Sequence, residues 1–347
     1  MSVAPLFESL SGVAASLHAA GAAAAAAYWH PVIDSAALRD KPQAVQLMDH
    51  AVVLWRDAQG DPHAWADRCP HRGARLSLGR VCDGQLECAY HGWRFGDTGR
   101  CVHVPALPEF VPPAGHSAQV FAAQEAYGLV WVRLVDGAHS LPLFSAEADA
   151  GLRKVNCGPY DVATSAPRIV ENFLDMAHFG FVHAGWLGER GRSAIADYTV
   201  QATATGLLAT NCWAWQPQSH VHSTQGAMVE YRYEVTAPYA AVLTKVPQPD
   251  TTATAAWRES IALFICPLTA QTSRVWFRLA VADIDSPDAA LQAFQHTIFT
   301  QDQPVLESQS PSCLPLDPRA EAHTAADKAS AAYRRFLQGA AISFGTC

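Results

Sequence analysis

Four residues in two short stretches have the types and spacing to hold an electron-transfer centre. They are Cys69 and His71 in Cys-Pro-His-Arg-Gly, and Cys88 and His91 in Cys-Ala-Tyr-His-Gly-Trp. Each stretch pairs one thiol with one imidazole. Two such pairs can hold one dinuclear cluster, with two thiolates on one iron and two imidazoles on the other. Neutral imidazoles leave such a [2Fe–2S] cluster less negative, so its potential rises. It then takes an electron from an ordinary reductase and passes it on singly. The competing reading is a structural zinc site, but zinc-finger spacing pairs Cys with Cys and His with His.

A second stretch, Glu171-Asn172-Phe-Leu-Asp175-Met-Ala-His178-Phe-Gly180-Phe-Val-His183, offers ligands for a single metal. It starts as a helix, with Ile169, Phe173 and Met176 as apolar positions. Asp175 and His178 are three apart and share a face. His178 and His183 are five apart, about 140° round an ideal helix. Both can reach one metal only if the helix ends or bends between them, and Gly180 stands where that can happen. Taken alone, the stretch reads equally well as a core helix with incidental histidines. A carboxylate would complete a two-His-one-carboxylate set that leaves metal positions open. Asp302 and Glu307 compete for that place. Ser286-Pro287-Asp288 predicts a helix start, with Ser286 as cap, and Pro304 is expected to bend or break the helix just past Asp302.

These residues need elements to position them. Residues 28–138 read as a β-rich domain, with strands at 45–49, 51–56 and 101–104, turns at 57–60 and 96–99, and a closing strand at 127–135. Both Cys/His pairs fall on its loops. Gly73 and Gly92 are expected to bring backbone N–H groups to the sulfurs. Pro105, Pro108, Pro112 and Pro113 make a stiff connector, and the domain boundary is placed near residue 139. In residues 139–347, alternating runs at 199–204, 228–235, 261–265 and 274–281 predict an antiparallel sheet facing the ligand-bearing helices. A pocket is expected between sheet and helices, with Met228, Tyr231, Thr244 and Phe264 among its wall residues. Residues 1–27 are Ala-rich and read as helical or partly disordered. They lack the basic start of a signal peptide, so export is not expected.

Composition narrows the classes. The chain has 347 residues, half of them hydrophobic, and a net charge of −8, which argues against a nucleic-acid surface. No apolar run is long enough to predict a transmembrane helix. Nine cysteines without a pairing framework suit a reducing cytoplasm.

Together the motifs resemble those of the Rieske non-haem iron oxygenases, in particular the α-only, vanillate-demethylase-like monooxygenase branch. A narrower likeness to the saxitoxin-tailoring hydroxylases lies in Val111-Pro-Pro-Ala, Tyr127-Gly-Leu-Val-Trp-Val, His183-Ala-Gly-Trp-Leu-Gly-Glu-Arg190 and Ala332-Tyr-Arg-Arg-Phe-Leu. The resemblance implies an α+β chain: an all-β Rieske domain followed by a helix-grip (START-like) catalytic domain with an antiparallel sheet. It implies a Rieske [2Fe–2S] cluster on Cys69, His71, Cys88 and His91. It also implies mononuclear Fe(II) on His178, His183 and Asp302, which favours Asp302 over Glu307. O2 is the cosubstrate, and a ferredoxin-type, NAD(P)H-dependent reductase supplies the electrons. A head-to-tail homotrimer would let Asp175 bridge His91 of one subunit to His178 of the next, with Asn172 beside the iron and no ligand role. The implied reaction hydroxylates a C–H bond of a small alkaloid-like or aromatic molecule, and an N- or O-methyl carbon hydroxylated in this way leaves as formaldehyde. The Gly-Trp-Leu-Gly stretch is expected to shape the mouth of the site. Two rival readings remain: an electron carrier with a binding module, and a cis-dihydroxylating arene dioxygenase.

Overall fold

The computed structural model describes residues 21–217, 226–246, 259–283 and 285–347. Most of the Ala-rich N-terminal segment therefore lies outside the described residues, of which 21–26 are helical. The described residues divide into two compact units, one of residues 26–141 and the other containing residues 142–347 together with 21–25.

The first unit is all β. Its strands are β1 (His30–Asp34), β2 (Gln43–Leu47), β3 (His50–Arg56), β4 (Pro62–Ala66), β5 (Arg80–Cys82), β6 (Gln85–Glu87), β7 (Arg94–Phe95), β8 (Cys101–His103), β9 (Val120–Ala126) and β10 (Leu129–Arg133). A six-stranded sheet runs β1-β10-β9-β4-β3-β2, and a small four-stranded sheet runs β5-β6-β7-β8. Trp55, Trp65, Leu76, Leu86 and Phe95 form a core that also encloses Cys69 and Cys88. Burying such large apolar side chains is worth about 1.5–3 kcal/mol each, so the loops carrying the two thiols are fixed to a rigid base.

Two predicted strands run into hairpin turns: the one expected at 45–49 lies at 43–47, and the one expected at 127–135 starts only at Leu129. Met48 and Asp49 have positive φ and form the two-residue hairpin turn between β2 and β3, and Tyr127-Gly128 do the same between β9 and β10. Hairpin turns of this hand need positive φ to match the strand twist, and apolar character hid them in the sequence.

The second unit pairs one curved sheet with helices. Its strands are β11 (Arg153–Val162), β12 (Thr199–Ala202), β13 (Leu207–Gln216), β14 (Ala227–Ala237), β15 (Ala240–Val246), β16 (Glu259–Pro267) and β17 (Ser273–Val281). They form a seven-stranded sheet, β11-β17-β16-β15-β14-β13-β12, with every pairing antiparallel. The helices are α1 (Ala166–Leu174), α2 (Phe179–Val182), α3 (Asp288–Ser308) and α4 (Lys328–Gly339). A set of ion pairs ties α1 and α4 together: buried Arg168 and Arg334 both hold Glu321, and Arg334 also holds Glu171 on α1.

Helix α3 departs from expectation at both ends. It starts at Asp288, and Ser286 does not cap it but donates its hydroxyl to Asp283 at 2.6 Å. Pro304 does not end it, since the helix runs on to Ser308. A proline there costs about 3 kcal/mol. The final turn is held in place by Leu306, which is buried, and by Gln303, which bonds the Asp161 carbonyl of β11. Tertiary anchoring outweighs the lost backbone bond.

Candidate active site

The two Cys/His loops of the first unit share one hydrogen-bonding template. In the first, Cys69 N–H bonds the Ala74 carbonyl and Gly73 N–H bonds the Cys69 carbonyl. In the second, Cys88 N–H bonds the Trp93 carbonyl and Gly92 N–H bonds the Cys88 carbonyl. Each loop thus closes on its own cysteine through a glycine at positive φ, 72° at Gly73 and 68° at Gly92. That conformation strains any residue with a Cβ. The glycine N–H groups are spent on carbonyls. At the Cys69 sulfur, the N–H groups of His71 and Arg72 take the role expected of Gly73.

The four side chains converge. Cys69 and Cys88 are buried, and the His71 and His91 rings lie 4.7 Å apart between centroids. Trp93 stacks on His71 at 4.5 Å with only 3° between the ring planes, which holds that imidazole in one orientation. The His91 ring is exposed. Burial pushes the Cys69 thiol up to about 11, and the neighbouring Cys88 adds to the shift. Two buried, adjacent thiols favour the thiolate form only when a cationic centre binds between them. The donor set fits a cluster.

In the second unit the helix bearing the other motif ends earlier than predicted. Helix α1 stops at Leu174, and Asp175 takes an extended backbone with φ −90° and ψ 130°. Its carboxylate then accepts from Ala177 N–H at 2.8 Å and from His178 Nδ1 at 3.0 Å. His178 and His183 flank the one-turn helix α2, which contains Gly180. Gly180 is therefore not the bend. It is small because the Glu189 carbonyl lies 2.8 Å from where a Cβ would stand. The chain turns at Asp175, and that turn lets both imidazoles face one point.

Asp302 on α3 meets them there. His178 Nε2 and His183 Nε2 are 3.2 Å apart, and Asp302 Oδ1 is 3.5 Å from the first and 3.2 Å from the second. Two ring nitrogens and a carboxylate oxygen this close need a cation among them, and two imidazoles with one carboxylate fit a ferrous ion while leaving positions open. Burial alone would lower the pKa of His183, but its hydrogen bond to Asp302 and that carboxylate's charge raise it. Burial would raise the pKa of Asp175, and the bond and charge of His178 bring it below the ordinary carboxylate value. Asn172 donates to Asp302 Oδ1 at 3.4 Å. Glu307 is elsewhere, accepting from Ala163 N–H and Gln303.

One partner escaped the sequence reading. Gln301 Oε1 lies 2.8 Å from His183 Nδ1 and accepts its N–H, which turns Nε2 towards Asp302. Its only signal was its place beside Asp302. The donors open into a cavity walled by Phe173, Phe179, Tyr231, Tyr233, Phe277 and Phe299, with Gln295, Lys245 and Glu259 as polar members. Of the four predicted wall residues only Tyr231 lines it. Met228 is exposed, Phe264 is fully buried, and Thr244 faces a second cavity. Leu187 reaches the wall, and Trp186 packs edge-on against Phe294 at 5.8 Å, so the Gly-Trp-Leu-Gly stretch borders the site.

Comparison with known proteins agrees in both units. Residues 28–122 match the Rieske [2Fe–2S] domain, and residues 162–342 match the vanillate O-demethylase oxygenase C-terminal domain. The chain belongs to the Rieske non-haem iron oxygenases. Its relatives include methylxanthine N1-demethylase NdmA of Pseudomonas putida, 32% identical over 90% of this chain and 88% of that protein. Methylxanthine N3-demethylase NdmB of Pseudomonas putida is 29% identical over 91% of this chain and 89% of that protein. The structure of Pseudomonas putida CBB5 NdmA with caffeine superposes with a TM-score of 0.78 at 29% identity, covering 90% of each chain. This oxygenase accordingly uses a Rieske [2Fe–2S] cluster, mononuclear iron, O2 and reductase-supplied electrons to oxidise a small organic molecule. Among the described residues no helix is long and apolar enough to cross a membrane.

Proposed function

We propose that this oxygenase N-demethylates a small, flat, aromatic nitrogen heterocycle of the methylxanthine kind. The observation that carries the reading is the ring of aromatic side chains around the two-His-one-carboxylate set. Such walls stack on a planar ring and leave its methyl group beside the donors. The N-demethylase names of the relatives point the same way.

In this reading Cys69, His71, Cys88 and His91 hold the cluster, and His178, His183 and Asp302 hold the iron. The bound cluster supplies single electrons and the bound iron supplies O2 activation. The protein's own residues do the rest. Asp175 and Gln301 each accept the Nδ1 proton of one histidine, so both Nε2 atoms are free to ligate. Asn172 holds the Asp302 carboxylate in place. The aromatic wall keeps water from the face of a bound ring. The balance is one N–CH3, one O2, two electrons and two protons giving N–CH2OH and water. The hydroxymethyl compound then collapses to N–H and formaldehyde.

Asp175 retains part of its surface, its side chain being 32% exposed, and can accept a second imidazole from outside the unit. The exposed His91 of a neighbouring subunit suits that place, which supports a head-to-tail homotrimer with electron transfer between subunits. A cytoplasmic location fits the free cysteines, and a ferredoxin-type reductase would supply the electrons. The test is NADH- and reductase-dependent turnover of methylxanthines by protein loaded with cluster and iron. Stoichiometric formaldehyde and a product 14 mass units lighter are expected; a cis-diol, or NADH use without formaldehyde, overturns the reading.

A further inference from the structure

The catalytic cavity contains one charged pair besides the metal-facing donors among the described residues. Lys245 Nζ and Glu259 Oε2 are 2.6 Å apart, with both side chains largely buried. The sheet register places them on the wall. Tyr231 on β14 lies directly across from Lys245 on β15, which lies across from Glu259 on β16. Two residues along, on the same face, come Tyr233, Leu243 and Ile261. A rung of one phenol and two aliphatic side chains therefore adjoins a rung of phenol, ammonium and carboxylate, and all six side chains line the cavity. The pair also borders the second cavity, whose lining includes Arg232, Glu234 and Asp149. It adds a charged patch to a cavity lined mostly by apolar side chains.

Such a pair is costly unless it recognises something, since well-packed apolar residues of similar volume would serve a mere wall as well or better. We infer that Lys245 and Glu259 read the polar edge of the substrate, selecting a neutral ring that presents a carbonyl beside an N–H and rejecting carboxylates. The ammonium has three N–H donors and spends one on Glu259, so it can also donate to a ring carbonyl. Glu259 has lone pairs left to accept the adjacent N–H. An amide or imide edge satisfies both without breaking the pair. A carboxylate can also accept from the ammonium, but it carries no N–H for Glu259 and stands against that residue's like charge. The field of Glu259 reaches the neighbouring wall: burial and this carboxylate together push the Tyr231 hydroxyl well above its ordinary pKa.

This inference rests on the demethylation reading, because it takes the cavity as the substrate site. The experiment uses isosteric probes, 4-methoxybenzamide and 4-methoxybenzoate, titrated calorimetrically under argon into protein loaded with cluster and iron. The parent protein binds the amide in preference to the carboxylate. Glu259→Gln frees the ammonium and moves that preference towards the carboxylate by about 10- to 100-fold, the range over which one unmatched polar contact discriminates. The double variant Lys245→Met/Glu259→Leu, which keeps the volume and leaves no unpaired charge, loses discrimination. Equal amide-to-carboxylate ratios in the parent and both variants overturn the inference, as does failure of the parent to bind either probe. Formaldehyde release from methylxanthines is measured on the same preparations. Release with an unchanged ratio removes the pair's role and leaves the demethylation reading standing. A shifted ratio without release from any methyl-bearing compound does the reverse.

Discussion

Replacing Gln301 by Leu tests how the protein orients His183, a proposed iron ligand, without touching the proposed iron. His183 is only 1% exposed, and its Nδ1 proton is accepted by Gln301 Oε1 at 2.8 Å. Leu leaves that proton without a partner in a site closed to water. An unmatched buried donor costs about 1–3 kcal/mol. The ring can escape the cost by moving its proton to Nε2, but that nitrogen then no longer ligates. Either way the loss falls on the iron-bound state, and at about 1.4 kcal/mol per decade it becomes a fall in Fe(II) affinity of roughly 5- to 150-fold. The range agrees with the roughly 10–100-fold typical of ligand-orienting partners. The assay is competition for Fe(II) against a chelator under argon, on protein that already holds its cluster. The visible cluster absorption serves as the internal control, since Gln301 and the cluster loops belong to different units. Gln301→Glu keeps an acceptor and is expected to retain the iron. If Gln301→Leu holds iron as tightly as the parent, the bond does not orient His183, and the reasoning fails.

Three further outcomes are expected. Asp175→Asn keeps about three irons per chain, as the two proposed ligand sets require, yet loses roughly 10–100-fold in turnover; about two irons per chain in the parent protein would instead support an electron carrier. Stripping the mononuclear iron with a chelator removes stabilisation of about 2.7 kcal/mol at a free metal concentration one hundred times Kd, seen as a lower melting temperature with the cluster band intact. The Glu321 carboxylate is half-buried, which would raise its pKa, but bonds from Arg168 and Arg334 bring it below the ordinary value. A depressed folded-state pKa means stability that is present above the unfolded value of about 4.3 and lost as pH falls through the folded one. Glu321→Gln therefore lowers the melting temperature at pH 7, and the gap to the parent narrows towards pH 3.

The chemistry was more legible than the walls around it. Cys69, His71, Cys88 and His91 could be read as a set because metal ligands have few substitutes and these lie in one stretch. The segment from Asp175 to His183 is equally visible, but its sequence offers Gly180 as the place for a helix end or bend, and the helix ends at Leu174 instead. A carboxylate that caps its own loop, as Asp175 does, looks from sequence like any helical acid. Pro304 misled in the opposite direction. The penalty was read correctly, but not the tertiary contacts of Gln303 and Leu306 that outweigh it. Wall residues were least legible, because alternation says which residues share a face and not which end of the face opens into a cavity. Thus Tyr231 was found, while Lys245 and Glu259, paired only through strand register, were not. The narrower likeness to the toxin hydroxylases rests on short segments, whereas relatives matched over about nine-tenths of the chain are demethylases.

The separation of the donors along the chain carries a consequence for biosynthesis. The proposed cluster donors all fall within Cys69 to His91, whereas Asp302 follows Asn172 by 130 residues, with most of a seven-stranded sheet between them. A ribosome therefore exposes every cluster ligand while the sheet that brings Asp302 to His178 and His183 is still unmade. Cluster insertion can accompany synthesis, and iron loading has to wait until α3 has been made. A product truncated before α3 would be coloured by its cluster and unable to act on substrate, so colour reports the first assembly step and says nothing of the second.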